Sequence, residues 1–482
     1  MNVRFPDALP EATQHLADRF SYGVDPALVA DVRTHGGREG WWRAQLARTD
    51  PQSLRAGLVP SWFPLLRNPP ALTALLASRG VRSSWVVGQE LIAQTFARRI
   101  LSRHQVHETM VDFWGNLLYV PASESRSYAW RVDYDEQVLR RHALGTYRDL
   151  LKAAVVHPSM AGFLTNDLNR KGAINENLGR ELLELHTVGR RYSERDVRHA
   201  SRMLTGFQVE VLTSFEARYV PARHDTGTVR VLGFTDPNRD PDGRAALGRM
   251  LGYLAGHPAT ADRIAHRLCV RFVSDDPPDS IVRSVARAYL RSGTDIRATL
   301  NALVRHPEFQ RSRHAKAWNP SDDVVHTARV MGLAPTGALT PGAFLYRLIG
   351  AAEDMGQVSL RWPRPDGWPE TTDNYLSASR VLRSWRHHLD LSGTQGDLLQ
   401  GVTVASKASQ LPSAWPRSLA ELVDHQSQRL VGRPASTVVV RAVAAAVGKP
   451  ATHRYAGPDS VPEVDYRLLR GTVLNSPSGL ER

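Results

Sequence analysis

The chain has 482 residues, of which 42% are hydrophobic and 23% charged, with a formal net charge of +13. That length exceeds one ordinary hydrophobic core, so two or three packed units are expected, and no run approaches the roughly 18 apolar residues of a membrane span. The single cysteine, Cys269, excludes an internal disulfide framework and a Cys-based zinc site, and is expected to be a buried structural thiol.

The stretch Met1 to Asp7 carries no apolar h-region, so neither signal peptide nor anchor is expected. The expected location is therefore cytoplasmic, with no membrane contact. The excess of basic residues is spread through almost every helical segment and forms no dense block. Nucleic-acid binding is therefore disfavoured, since it usually gathers basic residues and aromatics on one face.

In chain order the pattern is mostly helical. Residues 8–32 read as an opening helix containing His15-Leu16 and Arg19 to Gly23, followed by a helix from Arg38 to Leu46. Residues 50–70 hold Pro51, Pro60, Pro64, Pro69 and Pro70, and so read as a loop or short helical turns. A long helical pattern runs from Glu90 to Asn116, a polar loop over 121–134, and another helix from Glu136 to Val156. That helix stops at His157-Pro158, because the residue before proline is pushed out of the α region.

The segment Asn175 to Gly189 concentrates acids with an arginine and a histidine. Its apolar spacing predicts one helix, closed by Gly189 in a left-handed cap. At 100° per residue, Glu176, Asn177, Arg180, Glu181, Glu184 and Thr187 share an arc of roughly 140°. Leu178, Leu182, Leu183, Leu185 and His186 take the opposite side. Downstream, Ser193 to Asp196 looks like a capping box, and the following helix ends at Gly206. The segments 207–211 and 229–232 read as strands of one small hairpin, turning at Arg223 to Gly227. Helices resume from Arg244 to about Val330.

Proline stands eleven positions after Tyr147, Ile296 and Tyr466, marking one kind of amphipathic helix used three times, and His257-Pro258 adds another such boundary. The plain role for these histidines is capping beside a first-turn proline. Gly332 to Gly337 reads as a linker, and Arg361 to Pro369 as an aromatic-proline loop that pins itself onto the body. The expected class is mainly α, a multi-helical bundle-like body over 1–332 with one hairpin at about 207–234. A C-terminal helical part over 333–482 is expected to pack on it.

Several of these motifs together resemble the bacterial domain-of-unknown-function eighteen-hundred family. The carriers are His15-Leu16 with Arg19 to Gly23, Met110 with Phe113-Trp114 and Asn116, and His142 to Gly145. Further carriers are His157-Pro158, Asn175 to Gly189, Leu204 to Gly206, His224-Asp225 with Gly227, and Gly367 to Pro369. The resemblance spans nearly the whole chain and implies a mostly helical fold. Its members are often exported and encoded beside sulfatase-like proteins, which makes such a protein a possible partner; it implies no established reaction. The family pattern has a histidine where Leu117 stands and a lysine where Val229 stands, so any site using those positions is altered here.

Three functional readings follow. In a metal-assisted enzyme, Glu181 and Glu184 one turn apart, with His224, would hold a divalent metal ion. In metal-free hydrolytic acid–base chemistry, Glu176, Arg180, Glu181, Glu184 and Asp225 would form the catalytic group. In the third reading the protein is a non-catalytic scaffold or binding partner of a sulfatase-like protein. The plainer alternative for the acidic helix is a ladder of i, i+4 ion pairs through Glu176, Arg180 and Glu184, worth a few tenths of a kcal/mol each. No G-x-S-x-G, Cys–His pair, Walker loop or G-x-G-x-x-G signature is present.

Overall fold

The computed structural model describes residues 8–48, 52, 54–336, 343–394 and 399–482. Expectations resting on Met1 to Asp7, Pro51 and Gly337 lie outside those residues. The fold is mainly α with small two-stranded hairpin insertions.

The long helical readings break where local signals favour a stop. The opening helix divides into Glu11–Phe20 and Pro26–Thr34, since Pro26 suits a first helical turn behind the Asp25 cap. The 90–116 pattern is two helices, Ser84–Leu101 and Gln105–Leu117. The polar loop at 121–134 instead contains the helix Tyr128–Asp133, continued by π-helical turns over Tyr134–Arg140.

Local capping chemistry follows the sequence closely. Ser193 and Asp196 form a reciprocal capping box. His157, His257 and His306 each accept a backbone N–H from two residues on, at 3.1, 3.1 and 3.3 Å, just ahead of a first-turn proline. The histidine-proline pairs are therefore helix caps.

The β elements differ from the single expected hairpin. Phe207–Val209 pairs antiparallel with Ala217–Tyr219, and Val229–Val231 with Phe234–Asp236. Each expected strand found a nearer partner, because a short turn closes at lower entropy cost than the longer loop between them. The segment read as a linker contains the strand Leu333–Pro335, paired with Val402–Val404.

Hydrophobic packing forms two clusters. The first runs from Leu16 to Phe309 and includes Trp41, Trp114, Leu182, Leu254, Cys269 and Leu300. The second joins residues 59–100 to 324–474, so it draws on both sides of residue 332. Cys269 is fully buried and its thiol is pushed up to about 12 by that burial.

Many arginines are internal struts. Arg131 donates to the Val120 carbonyl at 2.9 Å, Arg329 to Ile100 at 2.6 Å, Arg380 to Trp318 at 2.8 Å and Arg470 to Met331 at 3.0 Å. A buried guanidinium on carbonyl oxygens satisfies groups that secondary structure leaves over. Part of the basic balance thus holds the helices together.

The aromatic-proline loop is pinned as expected. Asn116 donates to the Trp368 carbonyl at 2.9 Å and accepts the Trp368 N–H at 2.7 Å. Gly367 sits at φ +71°, where a Cβ would come within 2.1 Å of the Asn116 carbonyl oxygen. Gly367→Ala is therefore expected to cost about 2 kcal/mol or more. Urea denaturation alongside Asn116→Ala checks this: the two losses should be strongly non-additive, since each breaks the same contact.

Candidate functional site

The acidic stretch begins as an α-helix, Asn177–Glu181, and widens into π-helical turns over Leu182–His186. The π-helical turns alter the 100° step after Glu181, and Thr187, expected on the polar arc, is fully buried. Leu178, Leu182, Leu183 and His186 are fully buried, as the apolar side required. Gly179 allows the helix Glu194–Met203 to approach, since a Cβ there would meet Ser201. Gly189 is left-handed, at φ +71°.

The polar side is a set of surface ion pairs. Arg180 clamps Glu194 with two bonds of 2.8 and 2.6 Å and reaches Glu176 at 3.4 Å. Glu184 accepts from the Tyr192 hydroxyl at 2.6 Å and from Arg190 at 3.1 Å. Glu181 is half-buried, and burial, with Glu184 and Asp366 nearby, raises its carboxyl pKa.

His224 and Asp225 are engaged elsewhere. The His224 Nδ1 lies 3.0 Å from the Thr205 hydroxyl, and its Nε2 lies 2.9 Å from Asn238 Oδ1. Gly243 packs directly on the ring. Asp225 is bound by Arg202 at 3.0 Å. Glu181, Glu184 and His224 therefore do not come together, and no cluster of three or more His, Cys, Asp or Glu that could hold a metal ion exists among the described residues. Glu176, Arg180 and Glu184 are instead bound locally, to one another or to Glu194, Arg190 and Tyr192, and Asp225 is bound by Arg202.

A different region gathers titratable groups. The helix Glu11–Phe20, the helix Pro320–Val330, the end of the helix Leu419–Val431 and residues 478–482 enclose a cleft of about 420 Å³. The C-terminal residues are placed there by backbone pairing: Trp318 N donates to Leu480 at 2.9 Å, and Arg482 N to Lys316 at 2.8 Å.

Asp18 lines the cleft, with Gln14 Nε2 donating to its Oδ1 at 2.9 Å. Gly432, at φ +71°, lets Gln14 lie against the backbone. Burial pushes the Asp18 carboxyl up to about 7, against the opposing pull of Gln14, Arg19, Arg433 and Arg482. Two histidines share the lining. His15 Nε2 lies 2.7 Å from the Phe309 carbonyl, which can only accept, so Nε2 carries the proton and Nδ1 is bare. His326 stacks on Trp318 at 4.4 Å, and Gly23 leaves room for its ring. Burial brings both imidazoles down to about 3, so they are neutral. Among the described residues, neither His326 nitrogen nor the Trp318 indole N–H has a hydrogen-bond partner.

Behind the cleft lies a buried ion network. Asp322 receives Arg482 at 2.8 Å and Arg271 at 2.9 Å, with Arg99 at 3.7 Å. Arg271 and Arg99 also hold Asp112, and Arg99 donates to Ser359 at 3.0 Å. Burial would raise the Asp322 pKa, but Arg271, Arg482 and Arg99 outweigh it and hold the carboxyl low. The far side of this network faces a small polar pocket with Asn116, Trp368 and Glu370 in its wall.

A family model described as a protein of unknown function, DUF1800, matches residues 15–478. The chain belongs to that family. No curated protein and no solved structure matches it. The motifs carrying the family likeness are spread through the fold: His15 is in the cleft, Asn116 and Gly367 to Pro369 lock the loop, His157-Pro158 caps a helix, and His224 is held between Thr205 and Asn238. Leu117 and Val229, which depart from the family pattern, are both buried in the first hydrophobic cluster.

Asp18, Trp318, Asp322, His326 and Arg482 were not legible as site residues. Asp18 reads as one polar position in an amphipathic helix. Asp322 and Asp323 after Asn319-Pro320 read as a well-made helix start, which they also are. The one available signal was that the helix Pro320–Val330 carries two acids, a histidine and an arginine with no polar face long enough for solvent.

Proposed function

We propose that this DUF1800 protein binds a small, largely uncharged organic molecule in the 420 Å³ cleft and exchanges a proton with it at Asp18. The observation that carries the reading is the convergence on one cleft of a carboxyl whose hydrogen-bond partner is a neutral amide, with the rings of two neutral histidines and a tryptophan. Several charges around it are already paired, Arg313 with Glu11, Arg433 with Glu481, Asp25 with Arg329 and Arg482 with Asp322, while the buried Arg19 donates to the Ser312 carbonyl. The volume falls in the range of small-molecule clefts, roughly 300–1,000 Å³.

A carboxyl titrating near neutrality serves as acid and base in turn, which is the tuning general acid–base catalysis requires. The rings of His15, His326 and Trp318 line the cleft without adding charge. No nucleophile and no metal enters the reading. Support moves away from the acidic helix, whose carboxylates are nearly all occupied by arginines or Tyr192.

The test is a small-molecule screen by thermal shift on purified protein, followed by titration of each binder across pH. Affinity in the wild type should change with a midpoint near pH 7 and become flat in Asp18→Asn. Binders whose affinity is indifferent to Asp18→Asn and to pH would sink the proposal. A chain that binds nothing small and co-purifies with a sulfatase-like protein would support the scaffold reading instead.

A further inference from the structure

The segment from residue 54 to residue 85 presents an outer surface at odds with an ordinary solvated face. Leu58, Leu65, Leu72, Leu75, Val81 and Trp85 are all exposed, Val81 at 69% and Trp85 at 60%. The helix Pro70–Ser78 has no charged residue, and only Thr73 and Ala74 of it are buried. Leu72, Leu75 and Arg79 are spaced to share one face. Arg82 turns inward, donating to the Leu65 carbonyl at 2.8 Å and pairing with Glu90, which draws the turn at 65 against the turn at 79–83. The exposed apolar side chains thus belong to one locally tied unit.

The charge of this unit has a single sign. Between Asp50 and Glu90 the sequence contains no Asp or Glu, while Arg55, Arg67 and Arg79 are exposed. Contiguous exposed apolar surface marks an interaction site. A second copy is a poorer occupant: a two-fold contact sets the same patch against itself and brings its exposed arginines together, while the nearest acids, Asp133 and Glu136, lie to one side next to Arg67 and are engaged by His157 and Arg98. Apolar side chains with a rim tryptophan and basic residues suit a surface that is oily beneath and negative above.

We infer that residues 54–85 dock this protein onto an anionic phospholipid bilayer, as a peripheral contact. No helix among the described residues is long and apolar enough to cross a membrane. The expectation of no membrane contact rested on the lack of a span and an anchor, neither of which bears on adsorption to a surface. Leu72, Leu75, Val81 and Trp85 enter the headgroup boundary while Arg67 and Arg79 meet lipid phosphates. The inference is independent of the Asp18 cleft.

Co-sedimentation of the full chain tests it, using vesicles of phosphatidylcholine alone and of phosphatidylcholine mixed with phosphatidylglycerol. Wild-type protein should pellet with the mixed vesicles, far less with the neutral ones, and should be released by added salt. The pair Arg67→Gln, Arg79→Gln should lose about fivefold in partitioning per arginine. The pair Leu72→Asp, Trp85→Asp should lose binding to both vesicles, with unchanged far-UV circular dichroism. Wild-type protein that stays in the supernatant with mixed vesicles overturns the inference, as do variants that bind as well as wild type. A solution dimer that the Leu72→Asp, Trp85→Asp pair dissolves would overturn it in favour of a second copy.

Discussion

Asp322→Ala should destabilise the folded protein by about 3–5 kcal/mol, the range seen when one partner of a buried charge pair is removed. Asp322 is almost wholly buried and stands between Arg271 and Arg482, with Arg99 at its other oxygen. Without it Arg99 and Arg271 are left to share Asp112, and the buried Arg482 keeps only backbone carbonyls as partners. The loss is expected as a lower urea midpoint with unchanged secondary structure in the surviving folded fraction. Asp322→Asn should recover little, because the amide keeps the shape but not the charge. A loss under about 1 kcal/mol in both variants would show that the network is not electrostatically tight. The same reasoning fixes the pH sense. The folded carboxyl titrates below its ordinary value of 3.8, so its contribution is present above that pH and is lost as pH falls through the folded value.

Asp18→Asn should act in the opposite direction. The folded Asp18 titrates at about 7 against an ordinary 3.8. Between those values the folded protein holds a proton that the unfolded chain has released, so stability falls as pH rises across the window and is level above it. The full shift would correspond to about 4 kcal/mol at 1.36 kcal/mol per unit, but Asp18 keeps some contact with the cleft, and about 2 kcal/mol is expected. Asp18→Asn should therefore melt higher than wild type near pH 8, with the difference vanishing near pH 4. A variant that gains stability while losing the pH dependence of ligand binding has the signature of a site kept at a cost to the fold. If Asp18→Asn is less stable than wild type at pH 8, burial does not disfavour the charge and the proton-exchange role fails with it.

The two expectations differ in sign for one reason. Asp322 has three guanidiniums within reach, whereas Asp18 has a neutral amide as its hydrogen-bond partner. Both are single acids in helical segments, and nothing local in the chain distinguishes them.

Helical class, the caps at Ser193, His157, His257 and His306 and the left-handed Gly189 were all determined by residues within a few positions of one another. Capping and apolar periodicity act over one or two turns, so sequence alone suffices for them. The arc on the acidic helix failed at Thr187, which is fully buried after the π-helical turns over Leu182–His186, a departure that apolar spacing at a fixed 100° step does not carry. The hairpin partners were misassigned because two strand-like segments do not state which shorter loop closes first. The functional region depended on tertiary structure throughout. Arg482 meets Asp322 across 160 positions of sequence, and His15 meets Phe309 across 294. Desolvation and distant charges decide whether a carboxyl is a strut or a proton carrier, and both quantities exist only once the chain has folded.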